Sequence, residues 1–306
     1  MPSGQPALGP NWFLEIFLWV TWIIALAFAW RNHRQGRGDR RGAFRLAIFA
    51  TIMVLLKWVL SASHTPHVEE SGALRSAIAV SLFTGITFWS VYMALEPFIR
   101  RRLPETIITW SRLLAGQFRD PLLGRDILLG ILAACGYWMV SIIVSYFFLS
   151  NGRLFGIQAD SLLDTRHSLG LLTFVAMNGF FRMFLVLLMF FLLRIILRRQ
   201  WPATVGLILF FGLLAQFLAS EETSAALLLL WWCVGIFLLL RFGLVAGCLY
   251  YFSSSILTFY PITSNVSVWY ATSGLFAVAG LLLLAGVAFY TSLGGQKVFE
   301  GRMLED

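Results

Sequence analysis

The sequence predicts an all-α protein: one integral membrane domain over residues 1–306, built as a polytopic bundle of about nine transmembrane helices. A short amphipathic helix is expected to lie in the interface on its cytoplasmic face. Three observations carry that reading. Hydrophobic residues fill 59% of the positions and charged residues 12%, with a mean hydropathy of +0.79; so much apolar surface exceeds a soluble core and needs lipid as its solvent. The apolar residues are gathered into runs near the length of about 20 residues that a helix needs to cross a bilayer. The charges, net +8, collect in short clusters at the ends of those runs, the pattern of cytoplasmic loops under the positive-inside rule. Without a basic face or a recognition module, the positive excess argues against nucleic acid and for the bilayer as partner. Cys135, Cys233 and Cys248 sit inside apolar runs as small hydrophobes, which suggests neither a disulfide nor a metal framework.

The first span, 12–30, is too long for the apolar core of a signal peptide and has no basic residue before it. Arg31, Arg34, Arg37, Arg40, Arg41 and Arg45 follow, against the single Asp39. That asymmetry puts 31–42 in the cytoplasm and the N-terminus outside. A second span, about 43–60, leads to an outer loop at 61–72 marked by Pro66, Gly72 and Glu69-Glu70. His64, His67, Glu69 and Glu70 are metal-type residues there, but Pro66 breaks any helix that would align the imidazoles, so an ordinary polar loop and no metal are expected. The third span, 73–95, returns to the cytoplasmic side. The fourth, 127–149, exits into a mixed-charge outer loop holding Asp160, Asp164, Arg166 and His167. The fifth, 171–197, ends at Arg198-Arg199, and the sixth runs from Trp201-Pro202 to 219 with Glu221-Glu222 outside. From 225 to 260 the run is too long for one crossing and holds Arg241 near its middle, so it divides at 241–243 into a seventh and a shorter eighth span. A turn at 261–267 and a ninth span at 268–290 bring the C-terminus into the cytoplasm. Without the division the count is eight and the C-terminus is outside. Tryptophans such as Trp30, Trp58 and Trp269 fall near span ends as an aromatic belt.

Residues 92–130, YMALEPFIRRRLPETIITWSRLLAGQFRDPLLGRDILLG, are the one densely charged stretch. Within 96–126, Arg100, Arg101, Arg102, Arg112, Arg119 and Arg125 alternate with Glu96, Glu105, Asp120 and Asp126. Because a planar guanidinium matches a carboxylate bidentately, a paired network is expected. Ile107, Ile108, Trp110, Leu113 and Leu114 can share one helical side while Arg112 snorkels toward phosphates, which is the expected interfacial helix. Arg119-Asp120-Pro121 and Gly124-Arg125-Asp126 place two Arg-Asp dipeptides on either side of a turn set by Pro121 and Gly124, close enough to cross-bond. Asp126 would then N-cap the fourth span. Inside the spans, Arg182 lies midway along the fifth, where a charge costs at least ~2.5 kcal/mol and calls for a partner. Asn178 is one turn before it and no carboxylate lies at matching depth, so a backbone carbonyl, Gln216 or a water-filled cavity is expected to satisfy it. A ligand site and a buried structural arginine are both open at Asn178, Arg182 and Gln216.

Four stretches carry a resemblance: ALEPFIRRRLP, WSRLLAGQFRDPLLGRD, RNHRQGRGDRRGAFRLA at 31–47 and FYTSLGGQKVF at 289–299. Over nearly its whole length the chain resembles the C-terminal multi-pass membrane region of bacterial membrane-bound serine/threonine protein kinases. The resemblance implies a bacterial inner (cytoplasmic) membrane, with a cytoplasmic kinase domain or a second copy of the chain as partner. Those proteins carry a kinase domain ahead of the membrane region. Here the Gly-rich phosphate loop and the V-A-I-K, H-R-D-x-x-x-x-N and D-F-G motifs are missing, so no kinase activity, catalytic residue or cofactor is carried over. An outer N-terminus is what such a protein keeps if it lacks its kinase domain and one earlier span. The expected function is therefore a non-catalytic anchor or sensor module that couples through its cytoplasmic Arg/Asp segment. The alternative is a small-solute transporter or permease; Arg182 suits it, but no inverted repeat supports it. An intramembrane enzyme fits least, for want of a nucleophile–base pair or HExxH-type spacing.

Overall fold

Apolar runs in lipid become helices because only a helix satisfies every backbone N–H and C=O within one segment. The computed structural model describes residues 11–62, 64, 68–148, 157–218, 225–263 and 265–294, and within them there are helices and no strand. In order these are α1 (Asn11–Arg34), α2 (Arg40–Ser61), α3 (Val68–Arg102), α4 (Pro104–Leu114), α5 (Pro121–Phe148), α6 (Asp160–Leu163), α7 (Thr165–Leu197), α8 (Gln200–Leu218), α9 (Ala225–Arg241), α10 (Leu244–Phe259) and α11 (Ala271–Ser292). Among the described residues six helices, α1, α2, α3, α5, α7 and α11, are long and apolar enough to cross a membrane; α8, α9 and α10 are apolar but shorter. Among the described residues the protein is thus all-helical, with six helices long and apolar enough to cross where the sequence reading gives about nine spans, or eight.

α7 stands between two groups of helices. On one side α2 and α3 pack against it, with α1 on α3; on the other it meets α8 and α10, and α10 in turn packs on α5 and α9. α10 is the inner helix, with 11 of its 16 residues buried. Glycines let backbones approach closely, as helices in lipid require: Gly130 of α5 faces Ala246 and Tyr250 of α10, and Gly179 of α7 faces Cys248 and Phe252 of the same helix. Outward faces carry bare apolar side chains such as Leu132, Leu282 and Leu283, each near 70% exposed, as lipid contact calls for.

At the charged stretch the helices depart from the sequence reading in two places. α3 does not stop near residue 95 but continues through Pro97 to Arg102. Proline lacks an N–H and frees the carbonyl four residues back. Here that carbonyl, on Met93, accepts from Asn32 Nδ2 at 2.9 Å, and Ala94 O accepts from the same nitrogen at 3.3 Å. A side chain from the end of α1 thereby replaces the missing donor. Asn32→Leu should cost about 1–3 kcal/mol, the desolvation penalty of an unsatisfied buried carbonyl, seen as a lower melting temperature in detergent. No shift would mean that the carbonyl finds another donor.

The second departure is α5, which starts at Pro121 and not at 127. Asp120 caps it, its Oδ1 accepting from Leu122 N at 2.8 Å, and Pro121 occupies the first helical position, where its missing N–H costs nothing. Asp126 therefore lies within the helix and is not its N-cap. Gly124 is likewise helical and sets no turn: a Cβ there would stand 2.5 Å from Ala288 O of α11.

Candidate functional site

The arginine-rich end of the bundle is assembled from the α1–α2 turn, the end of α3, α4 and the start of α5. Glu96 is at its centre, 2% exposed. Its Oε1 pairs with Arg100 Nε at 2.6 Å, one helical turn on, and its Oε2 accepts from the backbone N–H of Asp39 at 3.2 Å. Asp39 in turn caps α2 by accepting from Gly42 N at 2.9 Å. Arg45 Nη1 donates to Leu114 O at 2.6 Å and closes the last turn of α4.

The second buried carboxylate, Asp126, is 0% exposed. Thr109 Oγ1 of α4 donates to it at 2.6 Å, and Arg125 supplies Nε at 3.1 Å and Nη2 at 2.9 Å. Asp120 pairs with Arg112 of α4. The two Arg-Asp dipeptides therefore do not cross-bond: Arg125 serves its own neighbour, and Asp120 takes its arginine from another helix. Arg101, Arg102 and Arg119 are exposed and join no ion pair among the described residues; Arg102 lies 6.0 Å from the Phe98 ring.

The short amphipathic helix expected in this stretch is present as α4, with its apolar face packed into the bundle. Its buried face is Thr106, Ile107, Thr109 and Trp110, and Trp110 sets its ring edge-on to Phe180 and Phe184 of α7, 5.8 and 5.5 Å away. Ile108 remains exposed, and Arg112 meets Asp120 where a phosphate was expected. The elbow between α9 and α10 docks on this helix. Gly243 holds φ at 106°, and a Cβ on it would meet Thr106 O at 2.8 Å, so both the backbone angle and the space require glycine.

Asp120 lies outside the apolar spans, and its carboxyl is held below the usual range. Partial burial works against ionisation, but the Leu122 N–H and the Arg112 guanidinium outweigh it. A carboxyl depressed in the folded state contributes stability above its unfolded pKa and loses it as pH falls through the folded one. Stability should therefore decline as pH drops below about 4, and Asp120→Asn should flatten that part of a melting-temperature profile against pH. Parallel profiles would remove Arg112–Asp120 as a stabilising pair.

The intramembrane candidates do not form one cluster. The guanidinium carbon of Arg182 stands 4.8 Å from the Trp231 ring of α9, and its buried Nη1 has no hydrogen-bond partner among the described residues. Trp231 Nε1 donates to Ser254 Oγ at 2.8 Å. Tyr251 sets its ring edge-on to Trp231 at 4.8 Å, and with Tyr250, Ser253 and Ser255 of α10 it buries a hydroxyl that is likewise unpartnered among the described residues. Asn178 is elsewhere: its Nδ2 donates to Phe174 O at 3.1 Å, and it lines a cavity with Lys57 between α2, α3 and α7. Gln216 is exposed on α8. The sequence reading missed the Tyr and Ser residues of α10, although a run of hydroxyls inside an apolar stretch was the signal.

At the other end of the bundle His64 is engaged through both ring nitrogens, with Glu70 Oε1 at 2.6 Å and Val59 O at 3.0 Å. The Glu70 carboxylate raises its pKa above the ordinary value. His67 lies outside the described residues, among which no three His, Cys, Asp or Glu side chains gather as a metal site. No family model matches the chain, and no curated protein or solved structure matches it either.

Proposed function

We propose that the protein is a non-catalytic anchor and sensor module of the bacterial inner membrane, related to the membrane region of receptor-type serine/threonine kinases. In this reading the chain crosses nine times, with the N-terminus outside and the arginine-rich face and C-terminus in the cytoplasm. That face couples to a kinase domain or to a second copy of the chain. The observation that supports it is the interlocking at buried Glu96 and Asp126. Glu96 ties the end of α3 to the α1–α2 turn, Asp126 ties α5 to α4, and Arg45 of α2 bonds Leu114 O of α4, so that these segments form one platform, while Arg101, Arg102 and Arg119 stay free on its surface. A platform held in this way passes on a displacement of its helices, whereas a solvated linker would absorb it.

Photo-crosslinking in cells tests the reading. A photoreactive residue at Arg101 should capture a protein bearing a kinase domain, or another copy of this chain, and the same residue at lipid-facing Leu282 should not. Capture at both sites or at neither would overturn it. A second reading, a small-solute transporter, is favoured by Arg182 and the unpartnered hydroxyls of α10, since polar groups at membrane depth line solute paths. Solute flux into vesicles that Arg182→Leu abolishes would select it.

A further inference from the structure

The cavity between α2, α3 and α7 encloses about 300 Å³, near the lower limit for small-ligand pockets. Its polar groups are ordered by depth. Gly170 of α7 packs against Ser61, the last residue of α2, which fixes the relative height of the two helices. Lys57 is one turn below Ser61, half-buried, with its Nζ 5.5 Å from the Phe174 ring; it makes no ion pair among the described residues. Asn178 is one turn, about 5.4 Å, below Phe174. Only its donation to Phe174 O is used, leaving the amide oxygen and one N–H for a ligand. Deeper and beside these the walls are Met53, Phe88, Met177 and Phe181, while the lining hydroxyls of Thr84 and Thr173 are turned back onto Val80 O and Gly170 O of their own helices. The cavity opens at the surface of the bundle beside exposed Val80, Phe174 and Phe181, where lipid lies.

From rim to floor the order is cation, amide, hydrocarbon. A glycerophospholipid presents phosphate, ester carbonyl and acyl chain in that same order. We infer that this cavity holds one anionic phospholipid of the surrounding bilayer, its phosphate on Lys57, an ester carbonyl on Asn178 and one acyl chain against Phe88 and Phe181. An ammonium with no carboxylate paired to it among the described residues favours a net-negative headgroup over a zwitterionic one. The inference is independent of the coupling proposed for the arginine-rich face and stands or falls without it.

Native mass spectrometry of the full chain tests this, after exchange from detergent into phosphatidylglycerol or phosphatidylcholine of identical acyl chains. One phosphatidylglycerol should be retained per chain, in preference to phosphatidylcholine. Lys57→Gln should lower phosphatidylglycerol retention about fivefold, the effect of one cation near a membrane surface, and Lys57→Arg should restore it. Asn178→Leu should weaken both ester lipids alike and leave an ether-linked phosphatidylglycerol unaffected. Exposed Arg75, outside the cavity, serves as control: Arg75→Gln should retain the lipid as wild type does. Equal retention of the two headgroups by wild type, no loss in Lys57→Gln, or displacement by equimolar oleate, which would make the ligand a free fatty acid, would each overturn the assignment.

Discussion

Gly130→Leu is expected to prevent the bundle from assembling. A Cβ at this position would stand 2.6 Å from Ala246 O, 2.7 Å from Leu249 Cβ and 3.0 Å from Tyr250 N. Two of those three atoms are backbone, so no rotamer change relieves the clash and α5 must move away from α10. Overpacking costs about 1–3 kcal/mol when side chains can yield; against a rigid helix the cost should reach or exceed about 3 kcal/mol, a large share of the 5–15 kcal/mol that holds a typical fold. The same substitution at Gly136, in the same helix but with open space around it, should leave assembly intact. Size-exclusion chromatography in detergent reads the difference. Two equally monodisperse variants would mean that α5 and α10 are not packed backbone to backbone.

Glu96→Ala should have the next largest effect. The substitution removes the acceptor of the Asp39 N–H and the partner of Arg100 together, and leaves a void at a position that is 2% exposed. Arg100 is more than half exposed and can turn to water, so the loss should be about 2–3 kcal/mol, in the range for hydrogen bonds to charged groups, and below that of a fully buried ion pair. Glu96→Gln keeps an oxygen for the Asp39 N–H and should lose less. Glu105, exposed and in no ion pair among the described residues, should tolerate alanine within about 0.5 kcal/mol. The freed α1–α2 turn should also show in faster thiol labelling of Arg37→Cys when Glu96→Ala is added. Unchanged labelling and melting would mean that the turn is held without Glu96.

The positions of the apolar helices were legible because hydropathy follows chain order, and the break at 241–243 was marked by an arginine and a glycine inside an overlong run. The number of crossings was less so, since α8, α9 and α10 are short for a bilayer. Pairing of arginines with carboxylates was legible as composition, but its partners were not. Asn32 rescues Met93 O from 61 positions away, and nothing local to Pro97 announces it. For α5, the sequence reading takes Pro121 for a turn residue and Asp126 for the cap; Asp120-Pro121 starts the helix instead, and Thr109 of α4 holds Asp126 inside it, a contact that no local pattern announces. Arg182, too, finds an aromatic ring in α9 in place of the polar neighbours suggested by its own and the next span.

The buried character of α10 bears on how the chain is made. Although α10 is apolar as a whole, Tyr250, Tyr251, Ser253, Ser254 and Ser255 are all buried in the bundle and not turned to lipid. α5, α7 and α9, against which it packs, all precede it in the chain. In the order of synthesis these packing partners therefore come first, and in the folded bundle its hydroxyls lie against protein. α11 follows it in the chain and packs chiefly on α5.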